Sequence, residues 1–141
     1  MMLAVQEGLA RGCTRFLLYG GLGGRLDHTL ANLHVLAFLA ERGCEAFLIG
    51  PGETVSAVHN GALAFSPACK GTLSVFAWGG PARGITLSGL RYPLEHGELV
   101  PNHPLGVSNE FLGCEATVSV TDGTLLVLWT LPSGKELPAL I

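Results

Sequence analysis

The spacing of apolar residues changes near residue 52, and this change constrains the fold more than any other feature of the sequence. From Leu3 to about Gly50 the chain alternates helical and strand patterns, in the segments LAVQEGLARG, FLLYG, DHTLANLHVLAFLAERG and EAFLIG. From about Glu53 onward these give way to short runs typical of strands: TVSAVH, ALAFS, TLSVFAW, GITLSGL, ATVSVT and TLLVLWTL. The sequence therefore predicts an α/β fragment (a helix plus one βαβ unit) over residues 1–52, then an antiparallel β-sandwich or barrel-like domain over residues 53–141.

Two dipeptides in the second region favour tight turns. Asn60-Gly61 and Asp122-Gly123 are typical of two-residue hairpin connections, and the second lies between two runs rich in β-branched and aliphatic residues. We expect a β-hairpin at each position, with Asp122 acting as a turn residue.

Charge, hydropathy and cysteine spacing exclude several classes of protein. The 8 Lys and Arg residues are scattered and the net charge is -3, so we expect no broad nucleic-acid surface. The stretches VLAFLA and LLVLW are far shorter than the roughly 20 residues of a spanning helix, and the first residues do not resemble a secretory leader, so we expect a cytoplasmic protein without a membrane segment. The four cysteines lack metal-site or disulfide spacing and are expected to be buried, reduced thiols: Cys13, Cys44, Cys69 and Cys114.

The stretch GGLGGRLDHTLAN follows the apolar run FLLY, which we expect to be a buried strand. A strand, a glycine-rich loop and a helix N-terminus can form a seat for phosphate, because backbone N–H groups approach the anion and the helix dipole favours it. A helix starting near Asp27 would place His28 and Asn32 on one face, with Arg25 directed at the same region. Five apolar positions of this helix are expected to face the core: Leu30, Leu33, Leu36, Ala37 and Ala40.

The local pattern leaves a structural alternative open. Asp27 is a suitable N-cap residue, and glycine loops before helices also serve tight packing. The loop does not match a phosphate-binding P-loop, because Arg25 and Leu26 stand where Lys and Ser or Thr are needed. Leu26 also occupies the place of the third glycine of a dinucleotide fingerprint.

Four ordered segments resemble a known family. GGLGGRLDHTLANL resembles the glycine-rich signature of thiamine pyrophosphokinases, and three later segments are similar to those of that family's C-terminal β domain: SGLRYPL at 88–94, GVSNEFLG at 106–113 and VSVTDGTLLVLW at 118–129. The resemblance implies an ATP-dependent transferase that moves a pyrophosphoryl group from ATP to thiamine, giving thiamine diphosphate and AMP. It also implies a homodimer, with thiamine bound near the subunit interface.

The resemblance suggests roles for residues near the glycine loop. Arg25 and the amides of the loop, formed by Gly20, Gly21, Gly23 and Gly24 with Asn32 beside them, would neutralise phosphate charge. Asp27 would bind Mg²⁺ or orient the thiamine hydroxyl. His28 is either catalytic or engaged in a local hydrogen bond.

The resemblance also suggests roles for residues in the β region. Ser108 and Asn109 would lie on the thiamine side, or else form an ordinary turn between strands. Trp129 would present its ring to the cationic thiazolium, or else pack in the core or an interface. Trp78, Tyr92 and Phe111 are interpreted as packing residues.

The chain also departs from the family pattern. The acidic motifs of the forms GDFDS and DKDxTD, which precede the glycine loop in thiamine pyrophosphokinases, do not occur in it. Asp27 alone would make a poor Mg²⁺ site. We interpret the chain as a fragment of such an enzyme with low or no activity alone, although one half of a split enzyme or an inactive relative would show the same pattern. The alternative function is a non-catalytic β-sandwich module that dimerises or binds thiamine.

Overall fold

The computed structural model describes residues 1–130 and 137–141. Its helices are α1, Met2–Ala10, and α2, Leu26–Ala40. The strands are β1 Arg15–Tyr19, β2 Glu45–Ile49, β3 Glu53–His59, β4 Ala62–Phe65, β5 Thr72–Ser88, β6 Leu94–Leu99, β7 Asn109–Glu110, β8 Ala116–Ser119, β9 Asp122–Thr130 and β10 Ala139–Leu140. Residue 131, the last of the predicted run TLLVLWTL, lies outside the described residues.

Helix α2 connects the two parallel strands of the sheet. β1 and β2 pair in parallel from Arg15↔Glu45 to Tyr19↔Ile49. The buried residues of α2 all lie in its second half, between Val35 and Ala40. Leu30, predicted to face the core, is 46% exposed, because the helix packs on the sheet only through that second half. The spacing of apolar residues in a helix does not show which part of the helix the sheet contacts.

Strand β1 is buried on one face only, so the prediction of a buried strand at FLLY is wrong. β1 pairs with β2, and the sheet order begins at β1. Phe16 is buried against the helices, but Leu17 and Tyr19 are 45% and 67% exposed. The exposed residues alternate with Phe16 and so lie on the opposite face of β1, and the apolar composition of the run does not reveal which face is covered.

The fold is mostly β, with one curled sheet and two helices in the described residues. The strands follow the order β1-β2-β3-β9-β5-β8-β4-β10, and β6 and β7 also pair with β5. The first part of β5 pairs with β9 and its last part with β8, so the sheet bends along this 17-residue strand. One core cluster lies inside the bend, around Phe65, Val75 and Val127, and a second lies between the sheet and the helices.

The two predicted hairpins are wrong. The chain bends at Asn60-Gly61, but Asp122 and Gly123 are the first residues of β9, where Asp122 pairs with Arg83, so the turn role predicted for Asp122 is wrong as well. In the described residues β3 pairs with β2 and β9, β4 with β8 and β10, and β8 with β4 and β5, so neither dipeptide joins strands that pair with each other. Instead the two dipeptides contact each other: the Asn60 amide nitrogen donates to the Gly123 carbonyl (3.2 Å), and the Gly123 amide nitrogen donates to Asn60 Oδ1 (2.9 Å). A positive φ, such as +47° at Asn60, reverses the chain but does not determine which strand the chain pairs with next.

The four cysteines, all of them within the described residues, form no disulfide, but their burial is mixed. Cys44 is buried and Cys69 is partly buried, whereas Cys13 and Cys114 are exposed because they lie in connecting segments. Neither helix in the described part of the chain has the length and hydropathy that a membrane-spanning helix requires.

Candidate functional site

The glycine loop after β1 uses its glycines in two different ways. Gly20, Gly23 and Gly24 have φ values of +73°, +82° and +75°, a left-handed conformation that other residues adopt at a cost. Gly21 is needed for space, because a Cβ there would lie 2.5 Å from Leu48 Cδ1. The loop therefore has a backbone path that a chain with side chains at these positions would not follow readily.

Asn32 holds this loop from the second turn of α2. Its Nδ2 donates a 3.0 Å hydrogen bond to the Gly21 carbonyl, and its side chain is partly buried. The amide group predicted to face a ligand thus bonds to the loop itself. Asn32 therefore restrains the backbone of the glycine loop.

Arg25 and Asp27 form an ion pair at the N-terminus of α2. Arg25 Nη2 lies 2.7 Å from Asp27 Oδ2, and Nε lies 3.2 Å from Oδ1. The hydrogen bond from Arg25 lowers the pKa of Asp27, with a smaller contribution from the His28 amide, which donates to Oδ1. Asp27 is therefore ionised at neutral pH. The helix begins at Leu26 with Arg25 as its N-cap residue, so the N-cap role considered for Asp27 is wrong.

The residues at this loop do not form a metal site by themselves. Both oxygens of Asp27 are engaged by Arg25, and the described residues contain no cluster of three His, Cys, Asp or Glu side chains placed to hold a metal ion. Mg²⁺ sites in proteins are usually built on one or two carboxylates with phosphates and water. The predicted metal role of Asp27 does not fit this arrangement. The side chain of His28 is exposed beside it.

The glycine loop and the Ser108–Asn109 segment lie at opposite ends of one row of paired residues in the sheet. The row crosses six strands, through Tyr19, Ile49, Thr54, Trp129, Leu73 and Asn109. Its five spacings of about 4.8 Å give a path of ~24 Å along the sheet, which is an upper bound on the separation because the sheet curls.

Asn109 has a structural role, which the sequence did not reveal. It is 5% exposed; its Oδ1 accepts a hydrogen bond from the Tyr92 amide (2.9 Å), and its Nδ2 donates to the Tyr92 carbonyl (2.7 Å). Its amide is therefore not available to a ligand. Ser108 is exposed, with φ +60°, and its amide nitrogen donates to Ser74 Oγ. Of the two predicted residues, only Ser108 offers its side chain to solvent.

Trp129 packs in the core. It is 2% exposed and makes edge-to-face contacts with Phe47 and Phe65, at ring-centroid distances of 6.2 and 5.3 Å. The packing alternative therefore describes this residue, and its ring has no exposed face to offer to a thiazolium. The sequence pattern placed Trp129 in a strand but did not determine which face of the sheet it lies on.

Two residues of the segment SGLRYPL are candidate site residues that the sequence analysis missed. Tyr92, interpreted as a packing residue, is 58% exposed. The Arg91 guanidinium lies 5.6 Å from the Tyr92 ring centroid and 2.9 Å from a Glu110 carboxylate oxygen. Glu110 raises the pKa of Arg91. Pro93, directly after this pair, signals that the strand pattern ends there, and this is the one hint in the sequence that Tyr92 leaves the core.

Comparison with known proteins agrees with the resemblance seen in the sequence. Residues 63–125 match the family model described as thiamin pyrophosphokinase, vitamin B1 binding domain. The chain is 29% identical over 122 residues to Thiamine pyrophosphokinase 1 of Oryza sativa subsp. japonica. The match to the family model includes the segments around Tyr92 and Asn109 and leaves the glycine loop outside.

Solved structures show the same fold. The thiamine pyrophosphokinase of Bacillus subtilis superimposes with a TM-score of 0.84 at 24% identity, over 92% of this chain and 62% of that one. A thiamin pyrophosphokinase family protein of Enterococcus faecalis gives 0.74 at 26% identity, over 94% and 63%. The match to the Oryza relative takes in 82% of this chain but spans only 43% of the length of that protein.

Proposed function

We propose, from the premise that this chain belongs to the thiamine pyrophosphokinase family, that it takes part in pyrophosphoryl transfer from ATP to thiamine. In this reaction the hydroxyethyl oxygen of thiamine forms a bond to the β-phosphorus of ATP and loses its proton to solvent. The bond from that phosphorus to the α–β bridging oxygen breaks, and AMP leaves with that oxygen. The observation that carries the proposal is the glycine loop at the N-terminus of α2, which lies beside the Arg25–Asp27 pair.

The glycine loop would bind the phosphates of ATP. A helix N-terminus and backbone N–H groups favour an anion, and α2 is 15 residues long. Two of the five N–H donors of Arg25 bond to Asp27, and the others would donate to phosphate oxygens. Asp27 would hold the guanidinium in place. Asn32 would keep the loop amides directed outward by fixing the Gly21 carbonyl.

Ser108 and its neighbours would bind thiamine from a second copy of the chain. Four strands separate the glycine loop on β1 from Asn109 on β7 in the sheet, and a homodimer that places one chain's loop against the other chain's Ser108 segment would bring the two half-sites together. Exposed apolar side chains lie in or near each half-site and could form such a contact: Tyr19, Leu26, Leu105, Val107 and Leu112.

The residues of this loop do not fit a magnesium site. Asp27 is paired with Arg25, and the described part of the chain has no cluster of three His, Cys, Asp or Glu side chains that would add further ligands.

Calorimetry and product analysis test the proposal together. We expect the purified chain to bind thiamine and ATP, with Arg25→Gln weakening ATP binding alone and Ser108→Ala weakening thiamine binding alone. Chromatography after incubation with thiamine, ATP and Mg²⁺ should show little or no thiamine diphosphate. Failure to bind either ligand would refute the proposed function, and equal amounts of thiamine diphosphate and AMP would refute only the expectation of low activity.

The second candidate is a non-catalytic thiamine-binding or dimerisation module. The observation behind it is the extent of the family-model match, whose residues 63–125 correspond to a vitamin B1 binding domain and exclude the glycine loop. Thiamine binding without any measurable ATP binding would support this module over the enzyme.

A further inference from the structure

A pocket lies beside helix α2 on the face of the sheet that the helix covers. The helix packs over β2, β3 and β9, and the neighbouring strand β5 carries Phe76 and Trp78, which are only half-buried. The pocket between the helix and these rings has a volume of about 510 Å³, which is in the range of small-molecule sites. We call it the Trp78 pocket; its lining includes Leu33, His34, Phe76, Trp78, Pro101 and Leu128.

Two rings of the lining have polar groups without a partner. The His34 and Trp78 rings contact each other, with centroids 4.8 Å apart and planes tilted by 60°. Neither side chain makes a hydrogen bond within the described residues. The indole N–H is a donor, and a neutral imidazole has one donor and one acceptor nitrogen. The pocket therefore combines aromatic surface with hydrogen-bonding groups that a ligand can use.

The lining favours an uncharged ligand. Among the described residues that line the pocket there is no Lys, Arg, Asp or Glu. An ion that enters such a pocket loses its hydration and meets no opposite charge, which is costly. Neither the thiazolium of thiamine nor the phosphates of ATP match this environment.

The pocket is separate from both half-sites described above. Phe76 and Trp78 lie on the helix side of the sheet, whereas Leu73, the β5 partner of Asn109, lies in the core cluster inside the bend. The five residues from Leu73 to Trp78 also span ~16 Å of strand. His34 lies nine residues after Arg25, or ~13 Å along α2. A small ligand in the pocket is therefore beyond direct contact with the glycine loop and the Ser108 segment.

We infer that the Trp78 pocket binds a flat, uncharged heteroaromatic molecule of one or two rings. Such a ligand packs against the rings of Phe76 and Trp78 and exchanges a hydrogen bond with His34. A peptide segment suits the pocket less well, because it brings an N–H and a carbonyl at nearly every residue and only two polar side chains are there to bond with them. The inference goes beyond the proposed function and does not depend on it.

Indazole is the probe for a titration followed by NMR. It is flat and uncharged, and its two fused rings carry one N–H donor and one acceptor nitrogen. It is added to the full chain while the indole N–H signals of the two tryptophans are recorded. We expect a saturating shift of the Trp78 signal with a Kd of about 0.1–1 mM, as is usual for so small a ligand. Trp129, 2% exposed and in the other core cluster, is the internal control.

Three variants separate the contributions of the two rings. Trp78→Leu should weaken indazole binding by about two- to tenfold in ligand-observed NMR, because it removes the aromatic contact. His34→Leu should weaken indazole binding by a similar factor but leave the binding of indene, the hydrocarbon of the same shape, unchanged. The matched control is Phe38→Leu, which removes an aromatic ring one turn further along α2 and outside the described lining; it should bind indazole as the wild type does. Circular dichroism checks that each variant keeps its fold.

Several results would overturn the inference. One is the absence of a saturating Trp78 shift, and another is an equal shift of Trp129. A Trp78 signal that moves with protein concentration but not with indazole would mean that a second copy of the chain fills the pocket. Competition by thiamine or ATP would assign the pocket to the substrate site. Selective indazole binding by a chain that binds neither substrate would support the pocket and reject only the proposed function.

Discussion

Thr54 in strand β3 provides the sharpest test of how the core is built, because its hydroxyl is buried without a partner. The residue is 0% exposed, and its Oγ1 makes no hydrogen bond in the described part of the chain. An unsatisfied buried polar group costs about 1–3 kcal/mol, and valine has nearly the same shape as threonine. We therefore expect Thr54→Val to raise the free energy of unfolding by about 1–2 kcal/mol.

Ser56 is the matched control on the same face of the same strand. It is equally buried at 1% exposure, but its Oγ donates a 2.8 Å hydrogen bond to the Ala46 carbonyl. Ser56→Ala removes that bond and should lower the free energy of unfolding by about 1 kcal/mol. The two changes should therefore have opposite signs in urea unfolding followed by far-UV circular dichroism, with equal m values.

The opposite result for Thr54 would refute the reasoning. If Thr54→Val is less stable than the wild type, the hydroxyl has a partner in solution. Trp129 is the cross-strand neighbour of Thr54, and its Nε1 is also buried without a hydrogen-bond partner within the described residues. A water molecule bonded to both groups would then be the partner of the hydroxyl.

Three further predictions concern the loops. Arg25→Gln should raise the pKa of Asp27 toward its ordinary value in an NMR titration, and an unchanged titration would contradict the ion pair. Because Arg25 lowers that pKa in the folded chain, its stabilising effect is complete above the ordinary value and is lost as the pH falls through the lowered one. Gly89→Ala should lower the free energy of unfolding in urea far more than Gly113→Ala, because both glycines have a positive φ but only a Cβ at Gly89 would meet neighbouring backbone. Equal losses would show that the backbone around Gly89 moves to accommodate the Cβ. Asn32→Ala should speed amide exchange in the glycine loop, and unchanged exchange would mean that its bond to the loop is dispensable.

Much of the local structure could be predicted from the sequence. The apolar periods placed most of the strands and both helices, and glycine spacing located the loop before α2, because these features depend on neighbouring residues. The chain does bend at Asn60, but the hairpin predicted there is absent because β3 and β4 pair with other strands. The order of the four motif segments was enough to identify the family that the comparisons support.

The tertiary structure decided which surfaces are available. β1 is an edge strand with Tyr19 exposed, Trp129 is enclosed by two phenylalanines, and Asn109 bonds to Tyr92 rather than facing a ligand. Each of these outcomes depends on a partner distant along the chain. A residue's own neighbours set its backbone conformation, but its exposure and the partners of its polar groups are set by whichever segments the curled sheet brings beside it.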